Sequence, residues 1–338
     1  MSGVHLHVLD CGAATSLQDA GRRGYQRQGL SPSGPMDALA FAAANVLAGN
    51  PPGTVAIEMA LAGGRFRAEG GPVRLALAGA PFGLRIDGEP VADHRAFTLH
   101  AGETLALTPP KAGLFACLAV QGGFDLPEAL GSRALHLRAA LGGVDGRGLR
   151  AGDRLPLPGA ADTRPERCLD ALSLDPGEPV RIVLGPQGDL FPEAGLATLT
   201  GAAFTVSNRA DRMGYQLDGP AIAHGPTGFN VVSDATVAGS IQVPGNGRPI
   251  VLMADRQTTG GYPKIATVIS ADLRRIAQRR PGETVRFRAI GLDEAVAVAR
   301  ARGRLVAALP DALRPVLSAD ERLLSANVAG NVVDALSD

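Results

Sequence analysis

The sequence predicts a mainly β protein with a few helices, arranged as two β-barrel domains. The first observation is a succession of short apolar segments across residues 74–123, each closed by a turn signal such as Asp87-Gly88 or Ala101-Gly102. The second is the even spread of 44 Gly and 25 Pro residues along the chain. The third is the length, because 338 residues exceed the roughly 250 at which a single hydrophobic core stops growing. Closely spaced short strands are typical of sandwiches and barrels rather than of alternating strand–helix units.

Three segments interrupt the strand pattern with helix signals. The Ala-rich stretch MDALAFAAANVLAGN begins at Met36, between an SGP and a GNP turn signal. A second helix is predicted from Ser270, with Ser270 or Asp272 as its N-cap. The segment from Leu292 predicts an amphipathic C-terminal helix.

The domain boundaries follow from a change in composition. Residues 159–179 are rich in Pro, Asp and Arg, which is typical of a linker. We therefore expect an N-terminal domain over residues 1–165, a C-terminal domain over 166–292, and a helix with a tail over 293–338. GETLAL at Gly102, GETVRF at Gly282 and AGDRLPL at Ala151 echo one another. The echo indicates either a repeated architecture or simply one kind of Gly–acid turn before a strand.

The charge balance and the cysteine content indicate which binding partners and which cellular compartment to expect. The 33 basic and 33 acidic residues balance, so the sequence carries no electrostatic signal for nucleic acid or an anionic membrane. The N-terminus lacks the features of a signal peptide, and no apolar run reaches the roughly 18 residues of a membrane span. Cys11, Cys117 and Cys168 are widely spaced and odd in number, which favours a reducing compartment. We expect a cytoplasmic protein.

The common signatures of enzymes are absent from the sequence. It contains no P-loop, no GxGxxG, no HExxH and no GxSxG motif. It contains no MKM-type site for attaching biotin, so covalent biotin on this chain is not expected. His5 and His7 share one face of a predicted strand, but the six His residues have no metal-ligand spacing, and no metal site is predicted.

The candidate binding and catalytic side chains lie in three polar loops that are bounded by Gly residues. The first, SLQDAGRRGYQRQGLSPSGPMD, contains Arg22, and the second, SNRADRMGYQLDGP, contains Arg212. The third is the richest: the apolar strand PIVLMAD leads into RQTTGGYPK, which ends at Lys264. The double Gly lets backbone N–H groups approach a ligand, and Gln and Thr side chains can bind an amide or an anionic oxygen. The alternative is a polar hairpin in which Gln242 and Asn246 serve only as turn residues.

Lys264 is one of only two lysines, beside Lys111, among 33 basic residues. A lysine retained in such an Arg-rich chain indicates a need for a compact ammonium that Arg does not replace. A single residue is also compatible with no functional role at all.

The three loops, together with AVQGGFDLPEALGSRALHLRAALGG, resemble the biotin-dependent carboxyltransferase family over about residues 5–292. That family includes the C subunit of 5-oxoprolinase, the antagonist of the sporulation kinase inhibitor, and the carboxyltransferase region of urea carboxylase. The resemblance implies cyclophilin-like β-barrel domains. One departure is AVQGGFD, with Gln121 and Phe124, where AVAGGID is usual.

The resemblance also implies an activity and partners. The implied function is that of the C subunit of an ATP-hydrolysing 5-oxoprolinase, inactive alone, which helps to open 5-oxo-L-proline to L-glutamate. The implied partners are a kinase-inhibitor-like protein and a LamB/YcsF-like protein, with ATP bound here or at a partner. Two alternatives stay open: a carboxyltransferase that acts on urea or a related amide, and a non-catalytic antagonist that binds the inhibitor-like partner.

A site that activates a planar amide must stabilise charge on the amide oxygen. Asp255 is a candidate base or orienting group, and equally a simple strand-end carboxylate. Arg22 and Arg212 are candidates for binding a carboxylate, and equally for structural ion pairs. Asp19, Asp37 and Glu58 are expected to hold loops. The candidate catalytic residues are Lys264, Gln257 and Asp255, and the candidate substrate-binding residues are Thr258, Thr259, Gly260, Gly261, Tyr262, Gln242, Asn246, Arg212 and Arg22.

Overall fold

A computed structural model describes residues 3–162, 164–173 and 177–317, and strands dominate its regular structure, as predicted. The N-terminal half contains two antiparallel sheets with the strand orders β11-β1-β4-β9-β6-β7 and β2-β3-β10-β5-β8. Their elements are β1 (His5–Cys11), β2 (Thr15–Gln18), α1 (Ala38–Leu47), β3 (Ala56–Ala60), β4 (Gly64–Glu69), β5 (Val73–Gly79), β6 (Gly83–Ile86), β7 (Glu89–Val91), β8 (Ala96–Leu99), β9 (Thr104–Thr108), β10 (Phe115–Val120) and β11 (Arg154–Pro156).

Strand β5 explains why the second sheet is buried on both faces. Successive side chains of a strand point to opposite faces. Leu75 and Leu77 belong to the large core of the N-terminal half, whereas Ala76 and Ala78 pack with the residues of α1. Because alanine is small, the Ala-rich helix lies close against the sheet, and strand and helix are both almost fully buried.

The C-terminal half is built around an eight-stranded sheet in the order β21-β14-β15-β18-β17-β20-β13-β22. Its first and last strands follow one another directly in the chain, so the sheet nearly closes into a barrel. The elements are β12 (Arg167–Cys168), β13 (Val180–Leu184), α2 (Glu193–Gly201), β14 (Phe204–Ala210), β15 (Gly214–Asp218), β16 (Asp234–Ala235), β17 (Ser240–Gln242), β18 (Ile250–Leu252), β19 (Thr259–Gly260), β20 (Lys264–Val268), α3 (Leu273–Ala277), β21 (Thr284–Val285), β22 (Phe287–Ala289), α4 (Leu292–Ala308) and β23 (Arg314–Pro315).

The predicted helices are present, but the Asp272 cap predicted for the second is not formed. Helix α1 is capped by Asp37, whose carboxylate accepts hydrogen bonds from the N–H groups of Leu39 and Ala40, both at 3.1 Å. Asp272 precedes α3 but makes no side-chain cap, because its carboxylate binds the guanidinium of Arg181 at 2.6 and 2.9 Å instead. Helix α2 has no counterpart in the sequence predictions.

The C-terminal helix α4 begins at the predicted residue and is mostly exposed. The tail predicted after it includes residues 318–338, which lie outside the described residues. Within the described ranges, no helix combines the length and the apolar character needed to cross a membrane.

The three Gly–acid turns share one conformation. Their glycines, at positions 102, 152 and 282, have φ values of 93°, 91° and 88°. Each acidic side chain accepts a hydrogen bond from the backbone N–H three residues earlier: Glu103 from His100 at 2.7 Å, Asp153 from Arg150 at 2.9 Å, and Glu283 from Arg280 at 3.1 Å. The sequence echo therefore marks one turn used three times, before β9, β11 and β21.

A buried polar junction connects the two halves at Gln278, which is 5% exposed. Its Oε1 accepts hydrogen bonds from the N–H groups of Leu114 at 2.7 Å and Phe115 at 2.9 Å. Its Nε2 donates to the Phe115 carbonyl at 2.8 Å and to Asp37 at 2.9 Å. One amide thus satisfies four groups of the N-terminal half, which orients the halves relative to each other.

Candidate functional site

A cleft of about 340 Å³ lies between the two halves. One wall consists of residues 29, 30, 136, 138 and 139 from the N-terminal half. The opposite wall is residues 255–259, the first part of the loop that the sequence singles out. That stretch of the predicted site loop therefore lies beside a cavity.

The loop is held in place by a short strand pair and by Thr236. Strand β19 pairs with β16, joining Thr259 to Ala235 and Gly260 to Asp234. Thr236 donates a hydrogen bond from its hydroxyl to the Gln257 carbonyl, and its N–H donates to the Thr258 carbonyl at 3.0 Å. The backbone of the cleft wall is thus fixed by neighbouring main chain rather than left mobile.

Asp255 forms part of a buried ionic group with Arg212 and Glu58. The Arg212 guanidinium donates to both oxygens of Asp255, at 2.8 and 3.0 Å, and also to Glu58. Glu58 lies on β3 of the N-terminal sheet, and its other oxygen accepts the Met36 N–H at 2.6 Å. A single guanidinium therefore connects the cleft wall to the N-terminal half.

The electrostatics of this group favour a structural role for Arg212. Burial raises the pKa of Glu58 above its ordinary value, and the nearby Arg212 charge opposes that rise. Burial works against the charge of Arg212, but Glu58 and Asp255 outweigh it and raise the pKa of Arg212 further. With two carboxylates already bound, Arg212 has the structural ion-pair role that the sequence left open, rather than a free guanidinium for a substrate.

Arg22 is held by backbone carbonyls, although its Nη1 is buried without a hydrogen-bond partner among the described residues. It is 1% exposed, and its Nε donates to the Ala129 carbonyl at 2.7 Å. Its Nη2 donates to the carbonyls of Ser132 at 3.3 Å and Ala134 at 3.0 Å. The prediction that Arg22 binds a substrate carboxylate is not supported, because the side chain is buried and fastens the loop over residues 129–134.

Asp19 holds the same region from the opposite side, as expected for a loop-holding carboxylate. It accepts hydrogen bonds from Gly21 N at 2.9 Å, Ser132 Oγ at 2.7 Å and Arg133 N at 2.6 Å. Asp37 and Glu58 hold α1 and the segment before it in the same way.

Lys264 does not belong to the wall of the cleft. Its side chain is 2% exposed, and Nζ lies 3.0 Å from Asp234 Oδ2. The Gln187 amide donates to the same oxygen at 2.9 Å, and its Oε1 accepts the Lys264 N–H at 2.9 Å. The hydrogen bond from Lys264 lowers the pKa of Asp234 below its ordinary range. Lys264 thus stabilises the strand pair next to the loop. It is not among the residues that line the cleft, so it does not contact a ligand there directly.

The two glutamines of the loop region form a pair. Gln257 Nε2 donates to Gln242 Oε1 at 3.0 Å, and Gln242 Nε2 donates to the Tyr262 carbonyl at 3.4 Å. Gly260 packs directly against this amide, because a Cβ at that position would lie 2.3 Å from Gln242 Nε2. Gln242, Gln257 and Tyr262 also line a smaller cavity of about 240 Å³.

The remaining predicted residues divide between the loop and its surroundings. Thr259 and Tyr262 are exposed, and the Gly261 carbonyl accepts the Val231 N–H at 3.0 Å. Asn246 lies in the turn between β17 and β18, where its Oδ1 accepts the Arg248 N–H at 3.0 Å. Asn246 is therefore a turn residue, which was the alternative interpretation of the sequence.

His136 lines the cleft but was not predicted from the sequence. It is 6% exposed, its Nδ1 accepts the Ala139 N–H at 3.2 Å, and its Nε2 lies 3.0 Å from Ser31 Oγ. Because Nδ1 accepts a hydrogen bond, the proton of the neutral ring lies on Nε2 and is donated to Ser31. His136 lies within AVQGGFDLPEALGSRALHLRAALGG, a segment that carries the family resemblance, but a lone His there has no metal-ligand spacing that would mark it as functional.

Both ring nitrogens of His136 are engaged with Ser31 and Ala139, so the cleft offers mainly the amide- and hydroxyl-bearing residues Gln257, Thr258 and Thr259 beside the charged Asp255 and Arg256. Such a set can bind a planar amide through its oxygen and its N–H. Among the residues described, no group of three or more His, Cys, Asp or Glu side chains is placed to hold a metal ion.

Comparison with known proteins gives consistent matches. A family model described as carboxyltransferase domain, subdomain A and B, matches residues 28–289. The C subunit of 5-oxoprolinase from Haemophilus influenzae is 37% identical over 295 residues, which cover 87% of this chain and 94% of that protein. The crystal structure of TTHA0988 matches with a TM-score of 0.77 and 35% identity, covering 84% of this chain and 56% of that one. The Kluyveromyces lactis urea amidolyase matches with a TM-score of 0.85 and 27% identity, covering 94% of this chain and 21% of that one.

Proposed function

The chain belongs to the carboxyltransferase family of subdomains A and B, and from that premise we propose that it serves as the C subunit of an ATP-dependent 5-oxoprolinase. The complete enzyme would convert 5-oxo-L-proline to L-glutamate with hydrolysis of ATP. One observation carries the proposal: the similarity to the H. influenzae protein extends over 94% of its length at 37% identity. The match to urea amidolyase, by contrast, covers 21% of a much longer chain.

The cleft between the halves supports this assignment chemically. A lactam such as 5-oxoproline presents a carbonyl oxygen, an N–H and a carboxylate on a small ring. Gln257 and Thr258 line the cleft, and amide and hydroxyl groups of this kind can donate to the oxygen or accept from the N–H. A volume of about 340 Å³ lies within the usual range for small-molecule sites.

An amide is unreactive towards water, and phosphorylation by ATP would activate the lactam for ring opening. In the proposed sequence the lactam oxygen attacks the γ-phosphorus, and ADP leaves with the electron pair of the broken P–O bond. Water adds to the activated carbon and loses a proton, and the ring C–N bond breaks with the nitrogen leaving as the amine. A second water hydrolyses the resulting acyl phosphate to glutamate and phosphate. Groups that hold the amide oxygen in place favour the first step by positioning.

Asp255 acts in this scheme as a positioning residue. Both of its oxygens accept N–H groups of Arg212, so the carboxylate orients the loop rather than removing a proton. Lys264 also has a positioning role, because it holds Asp234, which begins the strand pair that supports the loop. The residues that contact substrate would then be Gln257 and Thr258, with His136 on the opposite wall.

We further propose that the chain works in the cytoplasm with two partner proteins, one kinase-inhibitor-like and the other LamB/YcsF-like. The related H. influenzae protein is named as one subunit of its enzyme, which supports an assembly of several chains. ATP binds at a partner or at a shared face, because the sequence contains no P-loop. The chain alone is then expected to form no glutamate.

The test is reconstitution of the enzyme from its three chains. The chain would be co-purified with the two partners and assayed for ATP-dependent release of glutamate from 5-oxo-L-proline. Thr258→Val should lower the rate at least about tenfold, and Thr98→Val, on the distant edge strand β8, should leave it unchanged. If the three chains assemble into a complex that forms no glutamate, the proposal is wrong.

A carboxyltransferase acting on urea is the second candidate. It is favoured by the TM-score of 0.85 to urea amidolyase over 94% of this chain. This function requires a separate biotin carboxylase and a biotin carrier, because the chain has no MKM-type attachment site. Biotin-dependent carboxylation of urea by this chain with such a carrier, without glutamate formation, would establish it instead.

A further inference from the structure

Arg256 is a buried cation without a partner. It is 6% exposed, its Nε is buried without a hydrogen bond, and its side chain makes no ion pair with any residue that the structure describes. Burial lowers the pKa of Arg256, with no neighbouring carboxylate to oppose the shift. Arg212, by contrast, binds two carboxylates, one of them Asp255 in the same segment.

Arg256 lines two cavities. One is the cleft described above, and the other has a volume of about 430 Å³. The larger cavity also contains Arg23 and Ser33. Its wall, as far as the structure describes it, includes no Asp or Glu side chain. The cavity is thus electropositive in a chain whose net charge is zero.

Ser33, which also lines this cavity, carries a second polar group without a partner in the described part of the chain. Its Oγ is buried and has no hydrogen-bond partner among the described residues. Hydroxyl and guanidinium donors together complement the oxygens of a carboxylate or a phosphate. The rest of the wall is largely apolar, including Met36, Val237 and Met253, which suits the carbon frame of a small molecule.

Keeping a guanidinium buried and unpaired is unfavourable unless something compensates for it. Buried polar groups in native proteins almost always have partners, and an exception such as Arg256 calls for a ligand that supplies one. Water could satisfy Arg256 in part, but it would not neutralise its charge.

We propose that Arg256 and Ser33, with Arg23 at the edge, form a binding site for the oxyanion group of a small organic molecule. Because Arg256 lines both this cavity and the cleft, a bound oxyanion would be next to the cleft. Which molecule carries the oxyanion rests on the proposed function: the carboxylate of 5-oxoproline or a phosphate of ATP. The oxyanion site itself does not depend on that function.

Binding can be measured on the full-length chain by calorimetric titration with inorganic phosphate, ATP and 5-oxo-L-proline, each in turn. At least one should bind saturably, and Arg256→Gln should weaken it at least about tenfold through loss of charge-assisted hydrogen bonds. The control is Arg67→Gln, which removes an exposed arginine from β4 and should bind like the wild type. Preference for 5-oxo-L-proline identifies a carboxylate site, and preference for phosphate or ATP a phosphate site.

A thermal melt distinguishes a ligand role from a structural one. Arg256→Met should melt at or above the wild-type temperature, because it removes an unpaired buried charge, while binding is lost. If Arg256→Gln fails to fold, Arg23→Gln, at an exposed position, should still weaken binding several-fold. Unchanged binding in the Arg256 variants, or no binding of any of the three compounds, overturns the proposal. Phosphate binding that depends on Arg256, without 5-oxoprolinase activity in the reconstituted complex, keeps this site and rejects the proposed function.

Discussion

Lys264 Nζ lies 3.0 Å from Asp234 Oδ2, although one side chain is 2% exposed and the other 50%. The ammonium is therefore buried in the core of the C-terminal half, and its counter-charge reaches it from the surface. Because Asp234 begins the strand pair β16–β19, this contact connects the barrel to the loop that lines the cleft. The pair therefore supports the site, and replacing Asp234 or Lys264 singly should change the stability of the protein by different amounts.

Removing either partner of this pair should have unequal effects. Asp234→Asn leaves a buried ammonium without a counter-charge, and we expect it to destabilise the protein more than Lys264→Met does. Lys264→Met should stay within about 1 kcal/mol of the wild type, because it also removes a buried charge. Urea unfolding of both variants at pH 7 measures the order. Equal stability losses would mean that solvent already screens the pair.

The same pair predicts a dependence on pH. The pKa of Asp234 is lowered in the folded protein, so its contribution to stability is present above the unfolded pKa of about 3.9. That contribution is lost as the pH falls through the lowered folded pKa. In Lys264→Met the acid-induced loss of stability should be smaller than in the wild type. Unfolding free energies at pH 7, 5 and 3 test this, and parallel curves would contradict it.

Arg212→Met should be strongly destabilising, by about 3–5 kcal/mol, because it leaves Glu58 and Asp255 buried without their cation. Burial already raises the pKa of Glu58, and loss of Arg212 should raise it further. A carboxyl whose folded pKa is raised contributes stability below its unfolded pKa of about 4.3 and loses it as the pH rises. The defect should therefore be larger at pH 7 than at pH 5, and addition of Glu58→Gln should recover part of it.

Gly260→Ala should disturb the Gln242–Gln257 pair, since the new Cβ would lie 2.3 Å from Gln242 Nε2. We expect a loss of about 1–3 kcal/mol in stability and at least about tenfold in glutamate formation by the reconstituted enzyme. Gly303→Ala is a matched control on the exposed helix α4, where nothing lies within 4 Å of the new Cβ. That control should be neutral or stabilising by up to about 1 kcal/mol. Wild-type activity in Gly260→Ala would show that the pair is not needed.

Gln278→Leu should loosen the junction between the halves. It removes the partner of the Leu114 and Phe115 N–H groups, and we expect a cost of about 2–4 kcal/mol from the unsatisfied buried groups. Hydrogen exchange should show faster exchange of those two amides. Gln121→Leu, where the amide accepts one hydrogen bond from Asp162 at 3.2 Å, should have little effect on them.

Several features could be predicted because their signals are local. The SGP and GNP turns bracket α1, and apolar runs separated by Gly turns become the strands of both halves. The segment around Gln257 and Thr258 was recognised from its density of hydrogen-bonding side chains, and it lines a cleft. The surroundings of single polar residues could not be predicted in this way: Arg22 donates to distant backbone carbonyls, Asn246 bonds within its own turn, and Lys264 pairs with Asp234 rather than lining the cleft.

By itself the sequence determined the mainly β class, the main helices, the loop that lines the cleft and the family resemblance. Turn chemistry and side-chain periodicity act over a few residues, so they can be followed along the chain. Only the tertiary structure decided the partners of the charged side chains. Arg212 meets Glu58 across 154 positions, whereas Arg256, in the same loop as Asp255, meets no carboxylate among the described residues. Whether a buried charge is paired depends on which distant segments the fold brings together, and no local pattern encodes that.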